Sequence, residues 1–550
     1  MLTYSAHGHV AARPTEKPWV LLLLCFVWLW PGILGHTPWK PDEPYITAVV
    51  QGFISGGHWL LPTVDGQPYL ESAPLYYWVA AGLAQLLSPW LLPVHDAARL
   101  ATPLFMALAL AFAGGIGREL VGRRHGRSVV MILIGCLGLI VTGHEMNAVV
   151  AGFAGFAAAL YAMVLSLRAP ALAGALLGAA SVVVFLSTNL VQLLLVWSVA
   201  LLLPAFASWR NKRYAITLLM ALLFAAPLLL VWPWALHKNY PLVFAQWWQA
   251  YALGPLRGFG NVGLFHELGY YPKLVLWYAW PAWPLAAWAL WKNRRYELPM
   301  LQLPLLSFAV LLLLLTFSSN THTEDAMPLL LPLAVLGAVE LDSLRRGAAA
   351  FLNWFGLMAF GFFALLVWLG WVAMNFGWPA RLAARVEYFS PYYEPQFSWL
   401  TLSLALLASG LWVWAVTRRH LRGRQAITNW AAGLTLLWGL LLTLWLPFLD
   451  AAKSYQPVVQ AMVKAMPAGD QCVAVDARHM IARVSWPYYS GLHLKAVAPE
   501  EAIPCNLQLL VGERDAVPVL PGWQLRWHGS RPRDKHEVYY LLQREPAAAS

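Results

Sequence analysis

The chain has 550 residues, 60% of them hydrophobic and only 11% charged, and its mean hydropathy is +0.57. Apolar runs of about 20 residues recur along it, and each is long enough to cross a hydrocarbon core about 30 Å thick. This composition excludes a soluble globular protein and predicts an α-helical polytopic membrane protein. The net charge of +11 comes mostly from Lys and Arg between the apolar runs, which indicates cytoplasmic loops and no nucleic-acid partner.

Hydropathy predicts about thirteen spans, with basic clusters at alternate ends. The predicted spans are 19–34, 101–117, 129–143, 148–167, 171–187, 191–208, 215–233, 272–291, 299–317, 327–344, 351–374, 397–416 and 427–449. Because basic loops face the cytoplasm, an odd count puts the N-terminus in the cytoplasm and the C-terminus on the outer side. The same side receives the loop 37–98, in which 44–56 and 73–88 are predicted to form amphipathic interfacial helices.

The C-terminal part of the chain is more polar, which predicts a small α/β domain at 450–550 after a transmembrane domain at 1–449. Short apolar runs predict strands, and these are 472–475, 507–511 and 538–542. Residues 455–466 are predicted to form a helix. Two of the four cysteines, Cys472 and Cys505, fall in this part, and a disulfide between them is expected on the outer side of a membrane.

Adjacent carboxylates follow the first span, in the stretch Lys40-Pro41-Asp42-Glu43-Pro44-Tyr45. A charge at the bilayer centre costs about 2.5–3.5 kcal/mol, so ionisable groups collect at span ends unless function holds them deeper. The pair is therefore either a solvated helix cap or part of an acid/base site. Glu71 and Glu145 lie on the same predicted side in two other segments, and their convergence with Asp42 would favour a general base.

Cations on this side are candidates for binding an anionic group such as phosphate, since Lys and Arg form charge-assisted hydrogen bonds with it. They are Lys40, Arg99, Lys238, Arg257 and Lys273, with His58, His144 and His266 when protonated. Arg99 and Lys273 lie near span boundaries, where a long side chain also snorkels to the interface without a binding role. His322 and Asp325 fall in another outer loop, which we interpret as solvated.

Three stretches together resemble the GT-C glycosyltransferases, and most closely the bacterial aminoarabinose transferase and protein O-mannosyltransferase branch. They are Asp42-Glu43 after the first span, Gly66-Gln-Pro-Tyr-Leu-Glu-Ser-Ala-Pro-Leu-Tyr-Tyr-Trp78, and Ala98-Arg99-Leu100. The resemblance implies thirteen spans with a small outer C-terminal domain, in the bacterial inner membrane. It also implies a polyprenyl-phosphate sugar as donor and transfer at the periplasmic face.

The resemblance assigns roles to individual positions of this chain. Asp42 would be the main catalytic carboxylate, and Glu71 and Glu145 match two further family acids. The residues expected to bind substrate are Glu43, Tyr45, Arg99, Arg257, His266 and Lys273. The chain departs from the family at places where lysines are usual, and these are Ser72, Asn189 and Asn320. Arg99, Arg257 and Lys273 are expected to compensate.

These features predict an inverting glycosyltransferase that passes a hexose or pentose from a lipid-phosphate donor to an acceptor hydroxyl or phosphate. The acceptor would be lipid A, another envelope glycan or a protein, and membrane lipid is a further partner. The sequence leaves open whether a divalent metal joins carboxylate and phosphate, as hard oxygen ligands would permit. The alternative is a non-catalytic lipid-binding or flippase-like protein on the same scaffold, which the missing lysines favour and the retained acids oppose.

Overall fold

The computed structural model of the chain describes residues 19–57, 59–253, 269–293, 296–316, 322–417, 423–467, 469, 472–498, 500–514 and 520–545. Within them, a large bundle of apolar helices is followed by a small five-stranded sheet with two helices. The fold is that of an α-helical polytopic membrane protein with a small C-terminal α/β unit, which confirms the predicted fold class.

The bundle consists of helices that differ widely in length. The first are α1 (Trp19–Leu29), α2 (Glu43–Gly56), α3 (Leu75–Leu87), α4 (Val94–Arg99), α5 (Ala101–Ile116), α6 (His125–Ile134), α7 (Leu137–Thr142), α8 (Val149–Leu165), α9 (Pro170–Ser187), α10 (Leu190–Leu202), α11 (Lys212–Asn239) and α12 (Pro241–Trp247). The others are α13 (Tyr270–Tyr278), α14 (Ala282–Lys292), α15 (Pro299–Thr316), α16 (Met327–Val339), α17 (Arg346–Phe376), α18 (Ala380–Phe389), α19 (Trp399–Val416), α20 (Gly423–Leu444) and α21 (Leu446–Lys453).

Among the described residues, seven helical stretches are long and apolar enough to cross a membrane, and they are Val94–Val121, α9, α11, α15, α17, α19 and α20. Shorter helices occupy each of the other predicted spans, so every predicted span contains helix. The total of thirteen crossings stays a prediction. The helices predicted at 44–56 and 73–88 are confirmed as α2 and α3.

Two predicted spans are broken in the middle, between α6 and α7 and between α13 and α14. The amide of Leu137 donates to the carbonyl of Trp280 across the two breaks (3.1 Å), and the indole N–H of Trp430 donates to the carbonyl of Gly135 (2.8 Å). Backbone groups that are freed inside a bilayer must be satisfied by neighbouring protein groups. The two breaks therefore stabilise each other and hold α7 and α13 in contact.

Small residues allow the central helices to pack closely. A Cβ atom added at Gly155 of α8 would lie 2.8 Å from Val184 of α9, and one at Gly178 of α9 would lie 2.9 Å from Phe224 of α11. Such close approach is the usual basis of helix association in membranes, where burial of apolar surface gives little driving force. Because α8 and α9 are consecutive and in extensive contact, the start of α8 and the end of α9 lie at the same end of the bundle.

The C-terminal unit is a mixed sheet with strand order β4-β3-β5-β7-β6. Its strands are β3 (Val473–Asp476), β4 (Leu494–Val497), β5 (Leu507–Gly512), β6 (Trp523–Ser530) and β7 (Val538–Arg544), after the two-stranded pair β1 (Thr63–Val64) and β2 (Gln67–Pro68) in the first loop. Strand β3 is parallel to β4 and β5, and β7 is antiparallel to β5 and β6. Helices α22 (Gln456–Ala465) and α23 (Met480–Ser490) complete the unit.

The three predicted strands are confirmed as β3, β5 and β7, and the predicted helix is confirmed as α22. Strands β4 and β6 were not predicted, because they are the edge strands and are largely exposed, so they carry no continuous apolar run. The core of the unit is formed mainly by aromatic and aliphatic side chains of the other elements, among them Tyr455, Val459, Trp486 and Tyr539.

The predicted disulfide between Cys472 and Cys505 is present, with a Cα–Cα distance of 5.3 Å. It links the start of β3 to the residues before β5, and Cys25 and Cys136 are free. We therefore expect thiol labelling of the denatured, unreduced protein to modify two cysteines, and labelling after reduction to modify four. Intact-protein mass spectrometry distinguishes the two outcomes. Four labels before reduction would show that the disulfide is not formed.

Candidate functional site

Two neighbouring cavities lie at the end of the bundle where α2 begins. The larger has a volume of about 520 Å³ and the smaller about 200 Å³. Asp42 and Glu324 line both cavities and therefore belong to the wall between them. Glu71 and Asp325 line the larger cavity, and Glu145 lines the smaller one. The three predicted catalytic acids, Asp42, Glu71 and Glu145, thus converge on one pair of cavities, as their common sidedness predicted.

Asp42 and Glu43 point to different surroundings although they are neighbours at the start of α2. Asp42 is the residue before the helix, and its side chain makes no cap hydrogen bond and faces the cavities. Glu43 also lines the smaller cavity, but its carboxylate is engaged, because it accepts from the backbone N–H of Trp39 (2.8 Å) and from the guanidinium of Arg99 (3.0 Å). Pro44 in the first turn favours helix initiation there. The local geometry therefore fixes which acid is free to react.

Arg99 is fully buried and all of its nitrogen atoms are bonded within the protein. Its guanidinium binds both oxygens of Glu43, the Asp96 carboxylate at 2.7 Å and two backbone carbonyls, those of Ile33 and His36. Arg99 lines neither cavity, so the structure does not place it where the sequence analysis expected a phosphate ligand. Its position near a span boundary revealed nothing of this, because its main partner lies 56 residues away in the chain. We therefore assign Arg99 a positioning role, in which it holds Glu43.

Glu71 is placed by a short hairpin. Strands β1 and β2 are joined by Asp65 and Gly66, both with positive φ, as a tight two-residue hairpin turn requires. The carboxylate of Asp65 forms an ion pair with Arg483 of α23, which ties the hairpin to the C-terminal unit. Glu71 follows β2 and accepts a hydrogen bond from the Tyr69 hydroxyl (2.8 Å).

Tyr45 lines neither cavity, although it was expected to bind substrate. Its ring stacks on that of Tyr69, with centroids 6.5 Å apart, and it packs between the main core and the C-terminal core. Lys40, another candidate cation, forms ion pairs with Glu537 (2.7 Å) and Asp534 (3.5 Å) of the C-terminal unit. These side chains hold the Asp42 loop against that unit.

Other contacts to the same loop come from the helix that leads to the C-terminal unit. Asp450 of α21 accepts from the backbone N–H and the hydroxyl of Thr37 and from the indole N–H of Trp39. The ammonium of Lys453 lies 4.8 Å above the Trp39 ring and lines the smaller cavity. Sequence analysis missed Lys453, because nothing in its own segment indicates that the chain returns to the first loop.

Glu145 lies in the smaller cavity, in the short connection between α7 and α8. Burial raises the pKa of Glu145 to about 7, and the negative charges of Glu324 and Asp42 contribute. The neighbouring His144 is buried between Trp28 and Trp438, with its ring nitrogens next to the carbonyl oxygens of Ile140 and Trp28. His144 is therefore a packing residue more than an exposed cation.

The pKa values of Asp42 and Asp325 are raised as well. Burial raises the pKa of Asp42, and repulsion from Glu324 and Glu71 adds to the effect. Burial also raises the pKa of Asp325 to about 6. Carboxyl groups that exchange protons near neutral pH are suited to general acid or base catalysis.

Glu324 and Asp325 are site residues that sequence analysis missed, since we interpreted their loop as solvated. They form a short turn immediately before α16, and both line the larger cavity. The signal that was available is an acidic pair at an outer span end, which is the same pattern as Asp42-Glu43. Among the described residues, the lining of the larger cavity includes no Lys or Arg, so His322 is its only candidate cation there.

The remaining expected residues fall into three groups. Arg257, His266 and Asn320 lie outside the described residues. Lys273 is exposed on the first turn of α13 and lines neither cavity. Ser72 and Asn189 line the larger cavity at the positions where the family has lysine, and the Asn189 side chain also caps α10 by accepting from the amide of Gln192.

The described residues contain no group of three or more His, Cys, Asp or Glu side chains arranged to hold a metal ion. The acids are instead distributed around the two cavities, with Asp42 and Glu324 between them. The chemistry that this arrangement supports directly is proton transfer by carboxyl groups.

Comparison with known proteins finds similar sequences and a similar fold. The chain is 29% identical over 455 residues to the undecaprenyl phosphate-alpha-4-amino-4-deoxy-L-arabinose arabinosyl transferase of Pseudomonas aeruginosa strain UCBPP-PA14, covering 78% of this chain and 75% of that protein. It is 28% identical over 498 residues to the protein of the same name from Pseudomonas paraeruginosa, covering 85% and 81%. No protein-family model matches the chain.

Among solved structures, ArnT from Cupriavidus metallidurans bound to undecaprenyl phosphate superposes with a TM-score of 0.65. The superposition covers 95% of this chain and 96% of ArnT at 15% sequence identity. The apo structure of the same protein gives a TM-score of 0.63. The two chains therefore share one fold over nearly their whole length, including the C-terminal unit.

We expect Arg99→Met to destabilise the protein by about 3–5 kcal/mol, because it leaves the Glu43 and Asp96 carboxylates buried without their partner. Thermal unfolding of the purified protein in detergent measures the effect. Arg381→Met, on an exposed position of α18, is the matched control and should unfold like the wild type. Unchanged unfolding of Arg99→Met would contradict the assigned positioning role.

Proposed function

We propose that this chain is a GT-C family member and that it transfers a sugar from a polyprenyl-phosphate donor to a hydroxyl or phosphate group of an acceptor. The proposed location is the bacterial inner membrane, with the reaction at its periplasmic face. The observation that carries the proposal is the position of Asp42 in the wall between two cavities. One carboxylate can thereby reach groups bound on both sides.

In the proposed reaction, Asp42 accepts the proton of the acceptor hydroxyl while the acceptor oxygen attacks the anomeric carbon. The bond between that carbon and the phosphate oxygen breaks, and polyprenyl phosphate leaves with the bonding electrons. A single displacement of this kind inverts the anomeric configuration. Orienting donor, acceptor and base together is worth about 7–11 kcal/mol in well-placed systems. The Arg99–Glu43 ion pair and the Lys40 contacts supply that orientation for Asp42.

The raised pKa of Asp42 supports its role as base, because a carboxylate with greater proton affinity takes up a hydroxyl proton more readily. Glu145, with a pKa of about 7, is suited to carry the proton further or to bind the acceptor on the side of the smaller cavity. We assign the larger cavity, which Glu71 lines, to the donor. These assignments divide the three acids between proton transfer and substrate binding.

The leaving phosphate needs cationic partners, and we propose Arg257 and His266 for this role. Arg257 and His266 belong to 254–268, outside the described residues, and described residues on either side of that segment lie at or near the larger cavity. Tyr251, just before the segment, lines the cavity. After it, Tyr270 bonds to the Thr323 hydroxyl (3.0 Å), next to the cavity residues His322 and Glu324. The positions of these flanking residues are the observation that supports the proposal.

The names of the relatives suggest an amino pentose as the first donor sugar to test, although a hexose stays open. Lipid A, another envelope glycan or a protein is the proposed acceptor. We further propose that the N-terminus lies in the cytoplasm and the C-terminal unit in the periplasm, and the Cys472–Cys505 disulfide supports this orientation. A non-catalytic lipid carrier would have no need of a protonatable acid between two cavities, which favours the transferase.

We expect Asp42→Asn to lower transfer from a labelled polyprenyl-phosphate sugar by about 100-fold or more, since loss of a general base typically costs 10²–10⁴-fold. The assay uses purified full-length protein with lipid A as acceptor. Glu500→Gln, an exposed acid of the C-terminal unit, is the matched control. Wild-type turnover by Asp42→Asn would exclude Asp42 as the base.

The pH profile tests the electrostatic role of Glu324. Its negative charge raises the pKa of Asp42, so Glu324→Gln should lower that pKa and keep Asp42 ionised to a lower pH. We therefore expect the acidic limb of the kcat/KM profile to move to lower pH, whatever happens to the maximum rate. A limb that stays in place, or moves to higher pH, would show that Glu324 does not tune Asp42.

A further inference from the structure

A cleft separate from the two acidic cavities lies at the opposite end of the bundle. Its volume is about 430 Å³, and it is lined by Trp288, Trp291, Lys292, Ser343 and Arg345. Helix α16 starts two residues after the site residue Asp325. An α-helix rises about 1.5 Å per residue, so the last residue of α16 is roughly 20 Å from the acidic cavities. Ser343 and Arg345 follow that end of α16, and the other three residues come from the end of α14.

The cleft is cationic and aromatic. The guanidinium of Arg345 lies over the rings of both Trp288 and Trp291, 5.7 and 5.8 Å from their centroids. Stacking of this kind leaves the edge of the guanidinium free to donate hydrogen bonds. Among the described residues no carboxylate forms an ion pair with Arg345, whereas Lys292 has Glu340 as a partner at 3.5 Å.

One residue that lines the cleft has a hydrogen-bond donor without a partner among the described residues. The indole N–H of Trp288 is buried and has no hydrogen-bond partner among the described residues, although Trp288 lines the cleft. Leaving a buried donor unpaired costs free energy, so such a group generally marks a missing partner. Arg345 and Trp288 therefore provide donors at the cleft for which the described residues supply no acceptor.

We propose that this cleft binds the phosphate group of an anionic phospholipid in the cytoplasmic leaflet. Basic clusters at this end of the spans indicate the cytoplasmic side, where the bilayer surface carries anionic lipids. Arg is well suited to phosphate oxygens because its guanidinium donates two parallel hydrogen bonds. Trp rings are typical of the headgroup region, and α17 continues from Arg345 with the exposed apolar residues Phe351 and Trp354, against which acyl chains can lie.

Native mass spectrometry of the full-length protein in detergent tests this proposal. The protein is titrated with phosphatidylglycerol, with phosphatidylcholine as the zwitterionic comparison. We expect phosphatidylglycerol to bind preferentially and Arg345→Ala to weaken its binding about fivefold, because one basic residue near an anionic lipid contributes roughly 1 kcal/mol. Arg345→Lys should retain part of the preference, since it keeps the charge but loses the planar fork.

Arg385→Ala is the matched control, because Arg385 of α18 also stacks on an aromatic ring, that of Tyr388, at 5.9 Å, but lies outside the cleft. It should bind phosphatidylglycerol like the wild type. Equal binding of the two lipids, or equal loss in Arg345→Ala and Arg385→Ala, would overturn the proposal. Displacement of phosphatidylglycerol by an equal concentration of inorganic phosphate would also overturn it, since the cleft would then be a site for free phosphate.

Discussion

The ion pair between Arg99 and Glu43 is the interaction on which the site depends. Arg99 is fully buried, and it joins α2, α4 and the loop after α1 through one guanidinium. Its charge holds Glu43 inward, so that the adjacent Asp42 faces the cavities. Removing either partner would leave a buried charge unpaired, which is far more costly than losing an exposed ion pair. The orientation of the proposed base is therefore built into the folding of the first loop.

The C-terminal unit and helix α21, which leads to it, contact the same loop from the other side. Lys40 is paired with Glu537, Thr37 and Trp39 with Asp450, and Asp65 with Arg483. These contacts flank the positions of both Asp42 and Glu71. The unit thus helps to hold the loop that carries the acids in place, which gives a physical reason for a small domain that has no recognisable motif of its own.

The two ends of the bundle have opposite chemistry. Acids with raised proton affinity surround the cavities at one end, while a basic and aromatic cleft lies at the other. A proton-accepting site suits sugar transfer to a hydroxyl group, and a cationic cleft suits anionic headgroups. Both fit a protein that is oriented across a membrane, with the reaction on one face and lipid anchoring on the other.

The sequence by itself determined the helical membrane architecture, the confirmed strands and the cysteine pair, because hydropathy, residue period and compartment act locally along the chain. It also pointed to the common side of Asp42, Glu71 and Glu145. Only the tertiary structure decided that Arg99 is a buried anchor and that Glu324 shares a wall with Asp42. Such roles depend on burial and on charged partners from distant segments, and Coulomb interactions and desolvation exist only once those segments meet.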